Sequence, residues 1–454
     1  MSTLPLIAHH HPEAVVAWCD KLPINARRFL SEVDQIAGLL LPGQHVLNLC
    51  GDHYHFSVAL AACIVSGRVS LLPSTYTPEM VRQMRRIAPD VFCIADQDIG
   101  GIELPVFHYP NRAPAPAADT VIPEIDCEQV IAQVFTSGST GVPEPHVKRW
   151  GSLVRNVRAE AKRLGVTPDH AILGTVPAQH MYGLESTVLM PLQSGGAMHA
   201  IRPFYTADIC AELEALPRPR VLVTTPYHLR TLLAEQPALP TIDLLLSATA
   251  PLSQELAVEA ETRFAAPLFE IYGCTETGQI ASRRTTSGPI WQTFSGIRLR
   301  SEGEAVWAEG GHIEVPTPLS DVIELVEADP TRFLLHGRHA DLVNIAGKRA
   351  SLGYLNYQLS AIPGVRDGVF LLPSEDDDDA EGGVHRLIAV VVAPELTSAA
   401  LMQALRERID SVFLPRPLLF VDALPRNATG KLLDHATRAL LASLRSQTAT
   451  GIRA

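Results

Sequence analysis

Short apolar runs alternate with stretches that carry apolar residues at helical spacing along the first part of the chain. The runs His45–Cys50, Val69–Leu72 and Asp90–Ala95 predict β-strands, because each is short and apolar. Helices are predicted between them, one over about His55–Ser66 and one that begins at Thr77-Pro78-Glu79. Strands that alternate with helices predict a parallel sheet with helices on both of its faces.

The same alternation continues through the middle of the chain and then changes. Further strands are predicted at Glu128–Thr136, Ala171–Val176, Val221–Thr225, Ile242–Ser247 and Pro267–Tyr272. Residues 297–335 alternate with period two and show little helical signal, which predicts a small β-rich subdomain. We therefore predict an α/β fold with a large N-terminal domain of parallel sheets (residues 1–338) and a smaller, mobile α+β C-terminal lobe (residues 339–454).

Composition narrows the class of protein. The chain has 454 residues, too many for one ordinary domain, and 46% of them are hydrophobic, which allows a large core. A net charge of −12 argues against a nucleic-acid partner, which would require basic patches. Seven cysteines lie scattered without C-x-x-C spacing, and no apolar stretch is long enough for a membrane helix. These features predict a cytoplasmic protein that does not span a membrane.

Hydroxyl residues and glycines alternate directly after the strand that ends at Phe135. The string reads Thr136-Ser137-Gly138-Ser139-Thr140-Gly141-Val142-Pro143. Backbone N–H groups and hydroxyls in such a loop can face a phosphate. The spacing differs from that of a P-loop, and the lysine after its second glycine is missing. A loop of this composition, taken alone, is more often only a loop.

The whole string, with Phe135, resembles the phosphate-handling motif of the adenylate-forming superfamily, which includes acyl-CoA synthetases, peptide-synthetase adenylation domains and luciferases. Three further parts of that family's signature follow in order. They are Tyr272-Gly273-Cys274-Thr275-Glu276, then Asp321 followed by Gly337-Arg338, and finally Pro425-Arg426-Asn427-Ala428-Thr429-Gly430-Lys431. A set of ordered motifs spread over most of the chain is hard to obtain by chance. The resemblance implies an enzyme that converts a carboxylic acid into an acyl-AMP with ATP.

The resemblance also implies a role for each matching residue. Lys431 would reach the α-phosphate and the acyl oxygen, where negative charge develops. Thr275 would bind a phosphate, and Glu276 would be the ligand of Mg²⁺, a cation that prefers oxygen. Asp321 and Arg338 would bind the ribose hydroxyls. The residues expected at the nucleotide are completed by Thr136, Ser137, Gly138, Ser139, Thr140, Gly141, Tyr272 and Gly273.

The acid pocket is expected near two segments that resemble those beside the substrate in the family. His180 could close on the carboxylate and Tyr182 could present an aromatic wall, although a core histidine and a packing tyrosine are equally compatible with each residue alone. Ala248 and Thr249 stand where the family has glycines, and Gly273 is expected beside them. Their added volume favours a short or flat acid over a long fatty chain.

The chain departs from the family pattern next to the phosphate loop. Glu144 stands where the family has a lysine, and the next cation is Lys148. Two alternatives follow: Lys148 substitutes for that lysine at the phosphates, or pyrophosphate is handled more slowly. The family's usual Asp or Lys at the hinge is replaced by Ala340.

Three functions remain open at this stage. The favoured one is a ligase that loads an aromatic, hydroxybenzoate-like acid onto the phosphopantetheine thiol of a separate acyl carrier protein. The compact N-terminal region and the Pro143–Trp150 run are similar to AMP ligases of aryl-polyene-type pigment pathways. The second is an acyl-CoA synthetase for a short or medium acid. The third is an inactive family member that binds acyl-AMP or a carrier protein.

Overall fold

The computed structural model describes residues 2–73, 76–110, 121–137, 143–235, 238–303, 305–338, 342–345, 348–372, 387–427, 432 and 434–449. The strands are β1 (Thr3–Pro5), β2 (Val15–Cys19), β3 (Leu22–Asn25), β4 (His45–Asn48), β5 (Val69–Leu72), β6 (Phe92–Ala95), β7 (Val106–His108), β8 (Glu124–Asp126), β9 (Val130–Ser137), β10 (Pro143–Arg149), β11 (Ala171–Gly174), β12 (Ala197–His199), β13 (Arg220–Thr224), β14 (Leu244–Ser247), β15 (Leu268–Cys274), β16 (Gly278–Arg283), β17 (Trp291–Thr293), β18 (Ile297–Glu302), β19 (Ala305–Gly310), β20 (Ile313–Leu319), β21 (Asp321–Leu325), β22 (Arg332–Arg338), β23 (Leu342–Ile345), β24 (Lys348–Ser351), β25 (Asp367–Leu371), β26 (Ile388–Val392) and β27 (Leu418–Phe420). The helices are α1 (Ala26–Leu39), α2 (His53–Val65), α3 (Pro78–Ile87), α4 (Trp150–Leu164), α5 (Met181–Gly183), α6 (Met190–Ser194), α7 (Thr206–Ala215), α8 (Pro226–Ala234), α9 (Gln254–Phe264), α10 (Leu352–Ser360), α11 (Ser398–Arg406) and α12 (Asp434–Ala449), with a π-helical turn (Leu184–Leu189) between α5 and α6.

The first large sheet has six strands in the order β10-β9-β5-β4-β6-β7. All its neighbours are parallel except β9 and β10, which form an antiparallel hairpin. The three strands predicted from the N-terminal apolar runs are present here within a few residues, as is the strand predicted at Glu128–Thr136. Helix α3 begins as predicted, with the Thr77 side chain accepting a hydrogen bond from the Met80 N–H and Pro78 in the first turn.

The second large sheet has eleven strands in the order β21-β22-β17-β16-β15-β14-β13-β11-β12-β2-β3. Strands β11 to β15 and β12 to β2 pair in parallel, whereas every pairing from β15 to β21 is antiparallel. The predicted change in the hydrophobic pattern beyond Tyr272 therefore corresponds to a change from crossover connections between parallel strands to hairpins between antiparallel strands. The β-rich part includes a separate three-stranded sheet of β18, β19 and β20.

A separate hydrophobic core begins at Val343 and runs to Phe413, with Leu355, Phe370 and Leu401 fully buried in it. The elements around it are the β23–β24 hairpin, two helices and the sheet β25-β26-β27. This arrangement confirms the prediction of a large N-terminal α/β domain and a smaller C-terminal domain. The boundary at residue 338 stays a prediction, since residues 339–341 are outside the described residues.

Two further expectations concern the whole chain. All seven cysteines are free thiols. Among the described helices, none is both long and apolar enough to cross a membrane.

Candidate functional site

The predicted phosphate loop lies at the tip of the β9–β10 hairpin. Ser137 pairs with Pro143 and Thr136 with Glu144, so the two ends of the loop are adjacent. Residues Gly138 to Gly141 are outside the described residues, as are the side chains of Thr136 and Ser137. Side chains alternate along a strand, so Glu144, His146 and Lys148 share one face of β10. Glu144 is exposed at the start of that strand.

The predicted metal and phosphate residues lie in the turn between β15 and β16. Thr275, Glu276 and Thr277 connect the two antiparallel strands, and Glu276 is exposed at the turn. The next residue, Gly278, has φ +73°, and a Cβ there would lie 2.4 Å from Asn156 Nδ2 and 2.7 Å from Glu185 Oε1. Only glycine fits such a left-handed position packed against side chains. We call the segment Thr275–Gly278 the T–E turn.

Tyr272 connects this hairpin to the residues predicted for the ribose. Its hydroxyl donates to Asp321 Oδ2 at 2.7 Å, and its ring packs against Trp291 and Phe333 at centroid distances of 5.8 and 5.7 Å. Asp321 begins β21 and is the direct cross-strand partner of Arg338 at the end of β22. The structure thus brings together Tyr272, Asp321 and the backbone of Arg338; the Arg338 side chain is outside the description.

Lys148 is a buried residue that contacts the T–E turn. Its side chain is 8% exposed, and Nζ donates to the backbone oxygen of Thr275 and lies 3.5 Å from that of Glu276. Burial lowers the pKa of Lys148, while the charges of Glu185 and Glu276 oppose that shift. Its expected role at the phosphates stays a prediction. The contact with the turn was not predicted.

Glu276 has the chemistry of a hard-cation ligand. Desolvation would raise the pKa of Glu276, but hydrogen bonds from its own backbone N–H and from Cys274, with the charges of His146 and Lys148, outweigh it and lower the pKa. Among the residues that the structure describes, no cluster of three or more His, Cys, Asp or Glu could hold a metal ion. A single ionised carboxylate nevertheless fits Mg²⁺, which usually keeps waters and substrate phosphates as its remaining ligands.

A buried polar network lies behind Lys148. Glu185 belongs to the π-helical turn and accepts a hydrogen bond from Asn156 Nδ2 at 2.6 Å. Ser186, the next residue, donates to Glu160 Oε1 at 2.7 Å. Burial raises the pKa of both Glu160 and Glu185 to about 8. Such π-helical turns concentrate at functional sites, because they redirect side chains inward.

The segment predicted for the acid pocket leads directly into that π-helical turn. His180 precedes α5, and Tyr182 within it is buried. Gly183 allows the tight turn, since a Cβ there would lie 2.0 Å from the Pro177 oxygen. Tyr182, Ala248 and Tyr272 belong to one hydrophobic cluster.

Thr249 follows Ala248 at an exposed position with φ +79°. A β-branched residue rarely adopts such a left-handed conformation. Such a backbone geometry suits glycine, although the residue here is threonine; its predicted place in the acid pocket stays a prediction.

Lys431 is outside the described residues, but the chain on either side of it is anchored. Arg426 pairs with Leu432 in a β-bridge and makes two 2.7 Å hydrogen bonds to the Asp367 carboxylate. The Arg230 side chain, from α8 of the large domain, donates to the Arg366 oxygen at 3.1 Å. The Arg426–Asp367 pair was not predicted, because nothing in the sequence indicates that an arginine within a motif will pair with a distant aspartate.

Comparison with known proteins identifies the family and the fold of the chain. Residues 7–355 match the family model "AMP-binding enzyme", and residues 375–431 match "AMP-binding enzyme C-terminal domain". The chain is 30% identical to a 4-coumarate–CoA ligase of Rhodobacter capsulatus, over 66% of this chain and 74% of that protein. It is 24% identical to a 3-hydroxybenzoate–CoA/4-hydroxybenzoate–CoA ligase of Thauera aromatica, over 69% and 67%. The fold matches ATP-bound MatB from Rhodopseudomonas palustris with a TM-score of 0.78 and 19% identity, over 96% and 97% of the two chains.

Proposed function

The chain belongs to the AMP-binding enzyme family, whose members are AMP-forming acid ligases, and we propose on this premise that it activates an aromatic, hydroxybenzoate-like acid and transfers the acyl group to a thiol. The observation that carries the proposal is the arrangement at the end of the second sheet. The T–E turn directly follows the strand that carries Tyr272, and the Tyr272 hydroxyl joins this hairpin to Asp321 on β21, farther along the chain.

The reaction begins with attack of the acid's carboxylate oxygen on the α-phosphorus of ATP. An oxygen–phosphorus bond forms, the bond to the β-phosphate oxygen breaks, and pyrophosphate leaves. Asp321 accepts from the ribose hydroxyls, and the Tyr272 hydroxyl fixes the orientation of that carboxylate through its 2.7 Å bond. The Thr275 hydroxyl donates to the phosphate, and Lys431 neutralises charge that develops on the phosphoryl oxygens.

Glu276 holds the Mg²⁺ ion in this proposal. The ion supplies positive charge at the phosphoryl oxygens. Because the pKa of Glu276 is lowered, its carboxylate is ionised at neutral pH and ready to bind a cation.

An aromatic acid is supported by residue volume and by the relatives. Ala248 adds volume where the family has a glycine, Tyr182 carries an aromatic ring, and both side chains are buried. Both curated relatives described above are named for aromatic acids. The test is acid-dependent ATP–pyrophosphate exchange with hydroxybenzoates, cinnamates and fatty acids of C12 or longer. A clear preference for the long chains would overturn the aromatic proposal and leave the ligase standing.

We propose an acyl carrier protein as acceptor, in a role like that of the aryl-polyene pigment ligases. The second candidate is CoA, which the names of both relatives favour. Acyl transfer from preformed acyl-AMP to CoA and to a panel of holo-carrier proteins decides between them. Rapid acylation of CoA together with no carrier acylation would replace the carrier proposal by the CoA ligase.

A further inference from the structure

Lys148 is a buried cation that contacts the T–E turn. It stands on β10 opposite Ala132, just before the bulge that separates it from Arg149. A lysine that is 8% exposed requires compensating partners, because an uncompensated charge in the interior is costly. Its partners are the backbone oxygens of Thr275 and Glu276.

Glu185 also acts electrostatically on Lys148. Of the charges that act on the ammonium group, Glu185 has the largest effect and Glu276 a smaller one. Asn156 holds Glu185 in place through the 2.6 Å bond, and the backbone at Gly278 packs directly on both side chains. The ammonium group is therefore held by the two carbonyls of the turn, and Glu185 is fixed against the backbone of Gly278 in the same turn.

We propose that Lys148 is a positioning residue: it fixes the T–E turn, and through the turn it sets the geometry of Glu276 as a cation ligand. This inference rests on the proposed function and adds to it. A lysine that instead replaced the family's missing lysine would bind a phosphate directly. In the structure, Nζ donates to the turn.

The test compares Lys148→Met with Lys162→Met, which removes an exposed cation from α4. The first readout is backbone amide hydrogen exchange of a peptide spanning residues 272–279, measured without ligands. Loss of a charge-assisted hydrogen bond should speed exchange in the turn by about tenfold or more in Lys148→Met. Lys162→Met should leave it unchanged. If Lys148→Met does not unfold cooperatively, Lys148→Gln takes its place with the same expected direction.

The second readout is the Mg²⁺ dependence of ATP–pyrophosphate exchange. In Lys148→Met the half-saturating Mg²⁺ concentration should rise about tenfold, with a much smaller change in KM for the acid. If Lys148→Met is folded and amide hydrogen exchange in the T–E turn is unchanged, the proposal is overturned. A raised KM for ATP with normal turn exchange and normal Mg²⁺ dependence, which indicates direct phosphate contact, also overturns it. If the wild-type protein shows no acid-dependent ATP–pyrophosphate exchange, the proposed function fails. The positioning role of Lys148 is then tested by the amide hydrogen-exchange measurement alone.

Discussion

The T–E turn and the segment around Lys431 are supported in different ways. The turn is built into the core of the large domain, with Lys148, Asn156 and Glu185 buried beneath it. Around Lys431, the chain is anchored within the small domain by Arg426 and Asp367, and Arg230 makes a hydrogen bond across to the large domain. We propose from this difference that the T–E turn is preorganised and that the small domain brings Lys431 to it.

The largest effect is expected at Lys431. Lys431→Ala should slow acyl-AMP formation by roughly 10²–10³, the typical loss for one donor to developing charge. Transfer from preformed acyl-AMP to thiol should change far less, because the lobe is expected to have moved the lysine away by then. Single-turnover measurement of both half-reactions checks this. Equal losses in the two would contradict a mobile lobe.

The network under the turn should make stability depend on pH. The pKa of Glu160 is raised by burial to about 8, from an ordinary 4.5. Between these values the folded state holds a proton that the unfolded state has lost, so the free energy of unfolding should fall as pH rises through this window. Glu160→Gln should remove part of that fall, on the order of 2–4 kcal/mol.

Denaturant unfolding at pH 5 to 9 measures this dependence. The matched control is Glu255→Gln, an exposed carboxylate on α9, which should keep the wild-type slope. A glutamine at 160 can still accept a hydrogen bond from the Gln279 amide nitrogen, which lies 2.9 Å from Glu160 Oε1. An unchanged slope in Glu160→Gln would show that this carboxyl group is ionised in the folded protein at neutral pH.

On the small-domain side, Asp367→Asn should weaken the anchor of Arg426. The two 2.7 Å hydrogen bonds from Arg426 would no longer be made to a charged carboxylate. Arg426 is partly exposed, so solvent compensates for part of the lost interaction. We expect acyl-AMP formation to slow by about tenfold, with Mg²⁺ dependence unchanged. The control is Glu395→Gln, which removes an exposed partner of Arg366. A shift in Mg²⁺ dependence would show that the two regions are coupled.

The smallest effect is expected from Tyr272→Phe. It removes the hydrogen bond to Asp321 and leaves the ring packed on Trp291 and Phe333. One such bond contributes about 0.5–1.5 kcal/mol, so KM for ATP should rise roughly 2- to 10-fold. Tyr205→Phe, at an exposed position, is the control. An unchanged KM would mean that Asp321 is oriented without Tyr272.

Sequence patterns predicted the parallel strands well, because apolar runs and capping signals such as Thr77-Pro78 are local. The motif resemblance also identified Tyr272, Asp321 and Arg338, which the structure brings together in part. Lys148 shows the limit. A contact of Lys148 with phosphate, one of two alternatives from the sequence, stays a prediction. Its contact with the T–E turn was not predicted, because the orientation of the side chain depends on the register of β10 and on where β15 ends.

The buried network of Glu160 and Glu185 could not be predicted from the sequence either, because it also depends on the tertiary structure. Acidic residues in helical segments usually face solvent, and only the π-helical turn directs Glu185 inward. Thr249 gave no sign of its left-handed backbone, since threonine strongly disfavours that conformation.

The pairing of Asp321 with Arg338 has a consequence for protein engineering. The two residues are separated by a hairpin, and their alignment depends on the ladder between β21 and β22. Residues 326–331 at the hairpin's end take no part in that ladder. A fluorescent or affinity module grafted there should therefore leave Asp321 and Arg338, the proposed ribose partners, aligned, which makes this hairpin end a suitable insertion point for a sensor of nucleotide occupancy.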